Sequence, residues 1–319
     1  MSRKLLIFGN GLGMALDPQH FLLSDALEVI WNNSNVLNAN QRQLILRCTG
    51  RHQAPQGEDE LDKLHLAINA CKTLDRIGDG NVHWLTDDGQ AFPSTTATYL
   101  HKVATHLHNY EGELPQDFMQ PLLEFIRETK SHVATLNYDK LLYGPFIDSN
   151  IVGRYDIASL IDGMTDTGLS SDSLERKYGN DFGYYLHLHG SPLFMGSGST
   201  SSKLQRHQLT LNSGTGQHIV LSHIDHKPSV IAASYILRTY WDYLRFALSE
   251  VDEIILFGYS GLDKHLNELI KPYLKARSCR VVEWAGSEGD RRSFWQNVLG
   301  TRLQKNYIPM DNILDFVNW

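Results

Sequence analysis

Lys4-Leu5-Leu6-Ile7-Phe8 runs directly into Gly9-Asn10-Gly11-Leu12-Gly13. An unbroken apolar run followed by glycines predicts a strand buried on both faces, ending in a tight turn. The same pattern returns at His132-Val133-Ala134-Thr135-Leu136, at Tyr184 to His189, at His218 to Ser222, at Glu253 to Gly258 and at Arg280 to Trp284. Helical stretches are predicted at 229–248, 263–275 and 289–299, with a short strand and helix closing the chain. Strands alternating with helices predict an α/β fold, a Rossmann-like doubly wound parallel sheet with helices on both faces. The expected organisation is one domain over residues 1–319, with residues 20–130 as a mostly helical insertion or subdomain after the first strand–turn unit.

Within that block, Leu61, Leu64, His65, Ile68 and Cys71 share one helical face, and Glu58 or Asp59 is the expected cap. Ser94-Thr95-Thr96 is read as preceding a second helix through Tyr99, Leu100, Val103 and Leu107. Leu114-Pro115 opens a third, with Phe118, Leu122, Phe125 and Ile126 on one side. Residues 196–202, all Gly, Ser and Thr, read as a mobile loop.

The 319 residues are 42% hydrophobic and 20% charged, which fits a globular chain and excludes a disordered one. No apolar run approaches the roughly 20 residues a membrane helix needs. The N-terminal apolar stretch is too short for a signal peptide. A net charge of −7 argues against general nucleic-acid binding. Three scattered cysteines (Cys48, Cys71, Cys279) make neither a disulfide framework nor a four-cysteine zinc site. A cytoplasmic location is the expectation.

Four short motifs carry chemistry. Gly9-Asn10-Gly11-Leu12-Gly13 suits either the approach of a pyrophosphate or a plain tight turn. Met14 stands where a dinucleotide fingerprint has glycine, and no Gly-Lys-Ser/Thr follows. Asn137-Tyr138-Asp139 follows a strand, where a doubly wound fold contacts its ligand; helix capping explains the same residue types. His187 and His189 alternate on one strand. They form a metal pair with help from His223, Asp225 or His226, or one catalytic histidine beside a packed one, or a structural pair. Gly258-Tyr259-Ser260-Gly261 lacks the second glycine of a nucleophile elbow, because Leu262 stands there. It reads as a second strand-to-helix turn, and Asp263 either caps the next helix or contacts ligand.

Taken in order, Gly9-Asn10-Gly11, Thr135-Leu136-Asn137-Tyr138-Asp139, Leu188-His189-Gly190-Ser191 and Gly258-Tyr259-Ser260 with Asp263 resemble the SIR2-like superfamily. The likeness is to its bacterial branch rather than to the zinc-containing classical sirtuins. Lys227 with Ser234-Tyr235-Ile236-Leu237 adds to it. The resemblance implies a Rossmann-like domain that binds NAD as substrate, without a metal. It implies that Gly9, Asn10 and Gly11 hold the phosphates, and that Gly258, Ser260 and Asp263 line the phosphates or adenine ribose. Asn137 and Asp139 would sit by the nicotinamide ribose, with His189 as the base. The activity implied is an NAD⁺ hydrolase giving nicotinamide and ADP-ribose, of the kind used in antiphage defence. The alternatives are a non-catalytic sensor of NAD or ADP-ribose, and an ADP-ribosyl or acyl transferase acting on protein. Such an enzyme must be kept idle, so the resemblance implies regulation by homo-oligomerisation, a sensed ligand or an activating protein partner.

Overall fold

A computed structural model describes residues 2–78, 86–154, 157–165, 167–197, 200–216, 218–222, 225–300 and 306–319. In chain order the first strand and helices are β1 (Lys4–Phe8), α1 (Gly11–Leu16), α2 (Pro18–Phe21), α3 (Leu23–Trp31), α4 (Ala39–Thr49), α5 (Asp62–Ile77), α6 (Asp87–His108) and α7 (Gln116–Thr129). Then come β2 (His132–Thr135), α8 (Tyr143–Asp148), β3 (Leu160–Ile161), β4 (Met164–Thr165), β5 (Gly168–Leu169), β6 (Gly183–His187), β7 (Phe194–Ser197) and β8 (Thr200–Lys203). The last third holds α9 (Lys227–Ala233), α10 (Tyr235–Glu250), β9 (Glu253–Phe257), α11 (Lys264–Ile270), β10 (Ser278–Trp284), α12 (Arg291–Leu299) and β11 (Tyr307–Met310).

Seven strands form one sheet in the order β11-β10-β9-β1-β2-β6-β3, every pair parallel. Leu5 to Phe8, Val133, Ala134 and Ile254 to Phe257 are wholly buried, as strands covered on both faces require. The chain builds outward from β1 through β2 on one side, then returns to build outward through β9 on the other. The order therefore reverses between β1 and β9. In an open α/β sheet, ligands bind outside the carboxyl ends of the strands at that reversal.

Helices α1 to α7 occupy the interval between β1 and β2. Their buried residues, among them Ile45, Leu64, Phe92 and Tyr99, join one continuous core with the sheet. No helix among the described residues is long and apolar enough to cross a membrane.

Local chemistry shifts several predicted boundaries. Neither Glu58 nor Asp59 caps α5: residues Glu58–Leu61 form a 3₁₀ turn, and the Glu58 carboxylate reaches Lys227 instead. Ser94, Thr95 and Thr96 lie inside α6, which Thr86 caps by accepting from the Gly89 N–H, and Pro93 is carried within the helix. The predicted helix 229–248 is two helices. The Ser234 hydroxyl accepts from the Leu237 N–H and starts α10 afresh. The 263–275 helix is α11 followed by a 3₁₀ turn at Lys271–Lys275, and α12 begins at Arg291.

The stretch read as a mobile loop at 196–202 falls mostly in the paired strands β7 and β8, with residues 198 and 199 outside the described residues. Residues 218–222 supply only a bridge, from Ile219 to Gly190, rather than a sheet strand. Gly190 has φ +83°, and a Cβ there would lie 1.7 Å from the His218 carbonyl oxygen, so this turn requires glycine.

Candidate functional site

The loops that follow β1, β2, β6 and β9 meet at the carboxyl edge of the sheet. Gly11 N–H donates to the Gly258 carbonyl at 2.8 Å. A Cβ on Gly9 or Gly11 would come within 2.7 or 2.6 Å of that same oxygen. Gly258 itself has φ +57° and no room for a Cβ against Leu12 N. The three glycines thus let two strand-end turns lie backbone on backbone at the sheet's reversal. That contact alone explains them as residues.

Asn137 joins this edge. Its side-chain amide donates to the Gly9 carbonyl at 3.0 Å, while its Oδ1 is buried with no hydrogen-bond partner. A native structure seldom leaves such an acceptor unpaired without a reason, so the atom marks a place for a donor.

His189 stands two residues past the end of β6, which stops at His187, although the sequence pattern predicts a strand running through His189 itself. Its Nε2 lies 2.9 Å from Asp263 Oδ2. Donation from Nε2–H to the carboxylate fixes the tautomer and leaves Nδ1 as the basic nitrogen. Asp263 also caps α11, accepting from the Leu266 N–H at 3.1 Å. Lys227 Nζ approaches the same Oδ2 at 3.2 Å and Glu58 at 3.0 Å. Burial pushes the Asp263 carboxyl up, but the His189 hydrogen bond and the Lys227 ammonium outweigh it and hold Asp263 well below the usual carboxylate range. Burial pulls Lys227 down, and Glu58 and Asp263 more than restore it. The Tyr138 ring lies 6.5 Å from the His189 ring, and its hydroxyl donates to the Val220 carbonyl.

Asp139 is placed differently. Its carboxylate accepts from the Leu141 N–H at 2.9 Å and makes no hydrogen bond to Asn137 or His189. Burial pushes it up to about 6. Asn10 is exposed, and its amide donates to the Phe21 carbonyl. Ser260 is exposed too, with its hydroxyl accepting from the Leu262 N–H in a local turn. His187 is packed among Tyr143, Tyr185, Phe194 and Tyr240, and burial holds it neutral, down to about 3. His226 pairs with Asp62 at 2.6 Å and stacks on His65. His223 lies outside the described residues. Among the described residues, no three His, Cys, Asp or Glu side chains gather as metal ligands.

The ion pairs of Lys227 and the His189–Asp263 contact were not legible in the sequence. Their partners are 36 and 74 positions apart. The signals available were a lysine followed by proline, and its place ahead of Ser234-Tyr235-Ile236-Leu237 in the resemblance.

Asn137, His189, Asp263 and Lys227 are respectively 6, 6, 5 and 4% exposed, so these four side chains are covered. Glu58, from the helical block, is part of the cover. Lys227→Met should cost about 3 kcal/mol, because breaking a buried ion pair strands its partners. Urea unfolding checks this; a loss below about 1 kcal/mol would show that the Lys227 pairs hold nothing in place.

No protein-family model matches the chain, and no curated protein sequence matches it.

Proposed function

We propose that the chain hydrolyses NAD⁺ at the nicotinamide–ribose bond, releasing nicotinamide and ADP-ribose. The observation that carries this reading is the orphaned, buried Asn137 Oδ1 on the same strand-end edge as the His189–Asp263 pair. A binding module needs no oriented imidazole, whereas a hydrolase needs both an oriented base and an acceptor for a hydroxyl or water.

In the proposed reaction the C–N bond electrons pass to the pyridinium nitrogen, and nicotinamide leaves neutral. The ribose C1′ becomes oxocarbenium-like. Asn137 Oδ1 accepts from a ribose hydroxyl or from the attacking water and orients it. Water adds at C1′, and its proton goes to His189 Nδ1. Asp263 holds the ring and stabilises the imidazolium that forms, as in other carboxylate–histidine pairs. Asp139 fixes the turn after Asn137 rather than touching the reacting atoms. Gly9, Gly11 and Gly258 bring backbone to the phosphates, with Asn10 and Ser260 at the exposed margin. Entry of the dinucleotide requires the Glu58–Lys227 contact to open, which gives an oligomer or activating partner something to act on. Depletion of NAD is the consequence that would serve antiphage defence.

The test is incubation of the purified chain with NAD carrying a labelled adenylate. Free nicotinamide and ADP-ribose in equal amounts support hydrolysis. Tight binding with intact NAD would make the chain a sensor, and label on protein would make it a transferase.

A further inference from the structure

A pocket of about 630 Å³ opens beside α8 and the residues that follow β8. That is a usual volume for a small-molecule site. None of Asn137, His189, Asp263, Lys227 or Glu58 lines it. Lys140, Tyr143, Gly144, Met164, Lys203 and Arg206 do.

Its charges are sorted by depth. The lysine and arginine side chains are partly buried, Lys203 at 21% and Arg206 at 29% exposure, and Lys140 is half-buried. The acidic lining residues Glu111, Glu113 and Asp148 are all exposed. The buried Asp162 carboxylate matches Lys203 and the exposed Asp148 matches Arg206, which leaves the half-buried Lys140 as the lining cation without a carboxylate partner among the described residues.

The cations are also held in place. Lys203 Nζ donates to Asp162 at 2.8 Å and to the Tyr143 hydroxyl, and Tyr143 donates to Asp162 at 2.5 Å. Asp162 is buried, yet Lys203 keeps it below the usual carboxylate range. An ammonium has three protons, so one remains. The Arg206 guanidinium is gripped by Asp148. It lies close against α8 at Gly144, where a Cβ would come 2.8 Å from Nη1. Lys140 has no ion pair among the described residues.

We propose that this pocket binds a small ligand through one anionic group, a phosphate or a carboxylate, seated on Lys140, Lys203 and Arg206. The exposed glutamates oppose further negative charge, so the rest of the ligand is neutral or cationic. This assignment does not depend on NAD hydrolysis.

The test uses inorganic phosphate and acetate, each titrated at low ionic strength into the labelled full chain and followed by amide NMR. Saturable shifts at Lys140, Gly144 and Leu204 are expected, with little change at Gly9 and Gly258. Lys140→Met removes no ion pair and so should fold. It and Arg206→Met should each weaken the titration at least tenfold. Phosphate binding more tightly assigns a phosphoryl ligand, and acetate binding more tightly assigns a carboxylate. Absence of saturable shifts with both anions, or unchanged titrations in both variants, would overturn the proposal.

Discussion

His189→Ala is expected to lower nicotinamide release by about 10²-fold or more, the usual contribution of a positioned base. The fold should survive. Removing the imidazole leaves Asp263 still paired with Lys227, at 3.2 Å, and still capping α11, so no buried charge is stranded. Asp263→Asn should give a comparable loss through misorientation of the ring, and Lys227 would lose a partner at the same time. Asn137→Ala should reduce kcat while changing stability little, because its one side-chain bond to the Gly9 carbonyl is worth about 1 kcal/mol. Thermal midpoints of His189→Ala and Asn137→Ala that match the parent chain would show that those two losses are chemical. If His189→Ala turned over NAD as fast as the parent chain, the imidazole would have no part in bond cleavage and the proposed mechanism would fall.

The elements that the sequence made legible are those whose residues carry their own signal. β1, β2 and β9 are buried on both faces, so their apolar runs could hardly be anything else. The helical block between β1 and β2 is likewise visible in the spacing of Leu61, Leu64 and Ile68. What was not legible depends on partners distant in the chain. Residues 196–202 have a loop-like composition, and β7 and β8 form because Phe194 meets Lys203 and Met195 meets Ser202 in an antiparallel pair. Ser234 sits inside an amphipathic pattern, and nothing local says that its hydroxyl will restart a helix. Asn137 and His189 were visible as polar residues ending apolar strands. The carboxylate that orients His189 was visible as a cap for α11 or a ligand contact, but not as the partner of the imidazole. Asp139 had the right spacing beside Asn137, but the turn drew its carboxylate back to Leu141.

Acid should destabilise the fold well before the carboxylates that are held low titrate. Burial holds His101 and His108 down to about 4 and His187 down to about 3, and each has an Nε2 without a partner. In the unfolded chain each titrates near 6.5. Their folded values are depressed, so stability is full above pH 6.5 and falls as pH drops, because only the unfolded chain takes up the proton. At pH 5 the loss is about 2 kcal/mol for each histidine, or about 6 kcal/mol for the three. Asp139 acts in the opposite sense. Its folded value of about 6 lies above its unfolded one, so acidification to pH 5 returns about 1 kcal/mol. Asp263, Asp162 and Glu250 are held low and contribute only below that window. His132 is likewise held down to about 4 by burial, with the Glu250 carboxylate at 2.5 Å opposing, so its loss comes on top of this sum. The net loss of about 5 kcal/mol is a large share of the usual 5–15 kcal/mol stability of a folded domain. The thermal midpoint should therefore fall by about 10 °C or more between pH 7 and pH 5. His187→Phe replaces the ring with one of similar shape among Tyr143, Tyr185, Phe194 and Tyr240, and should remove about a third of the slope from His101, His108 and His187. A midpoint that stays level from pH 7 to pH 5 would mean that these imidazoles take up protons as readily in the folded chain as in the unfolded one.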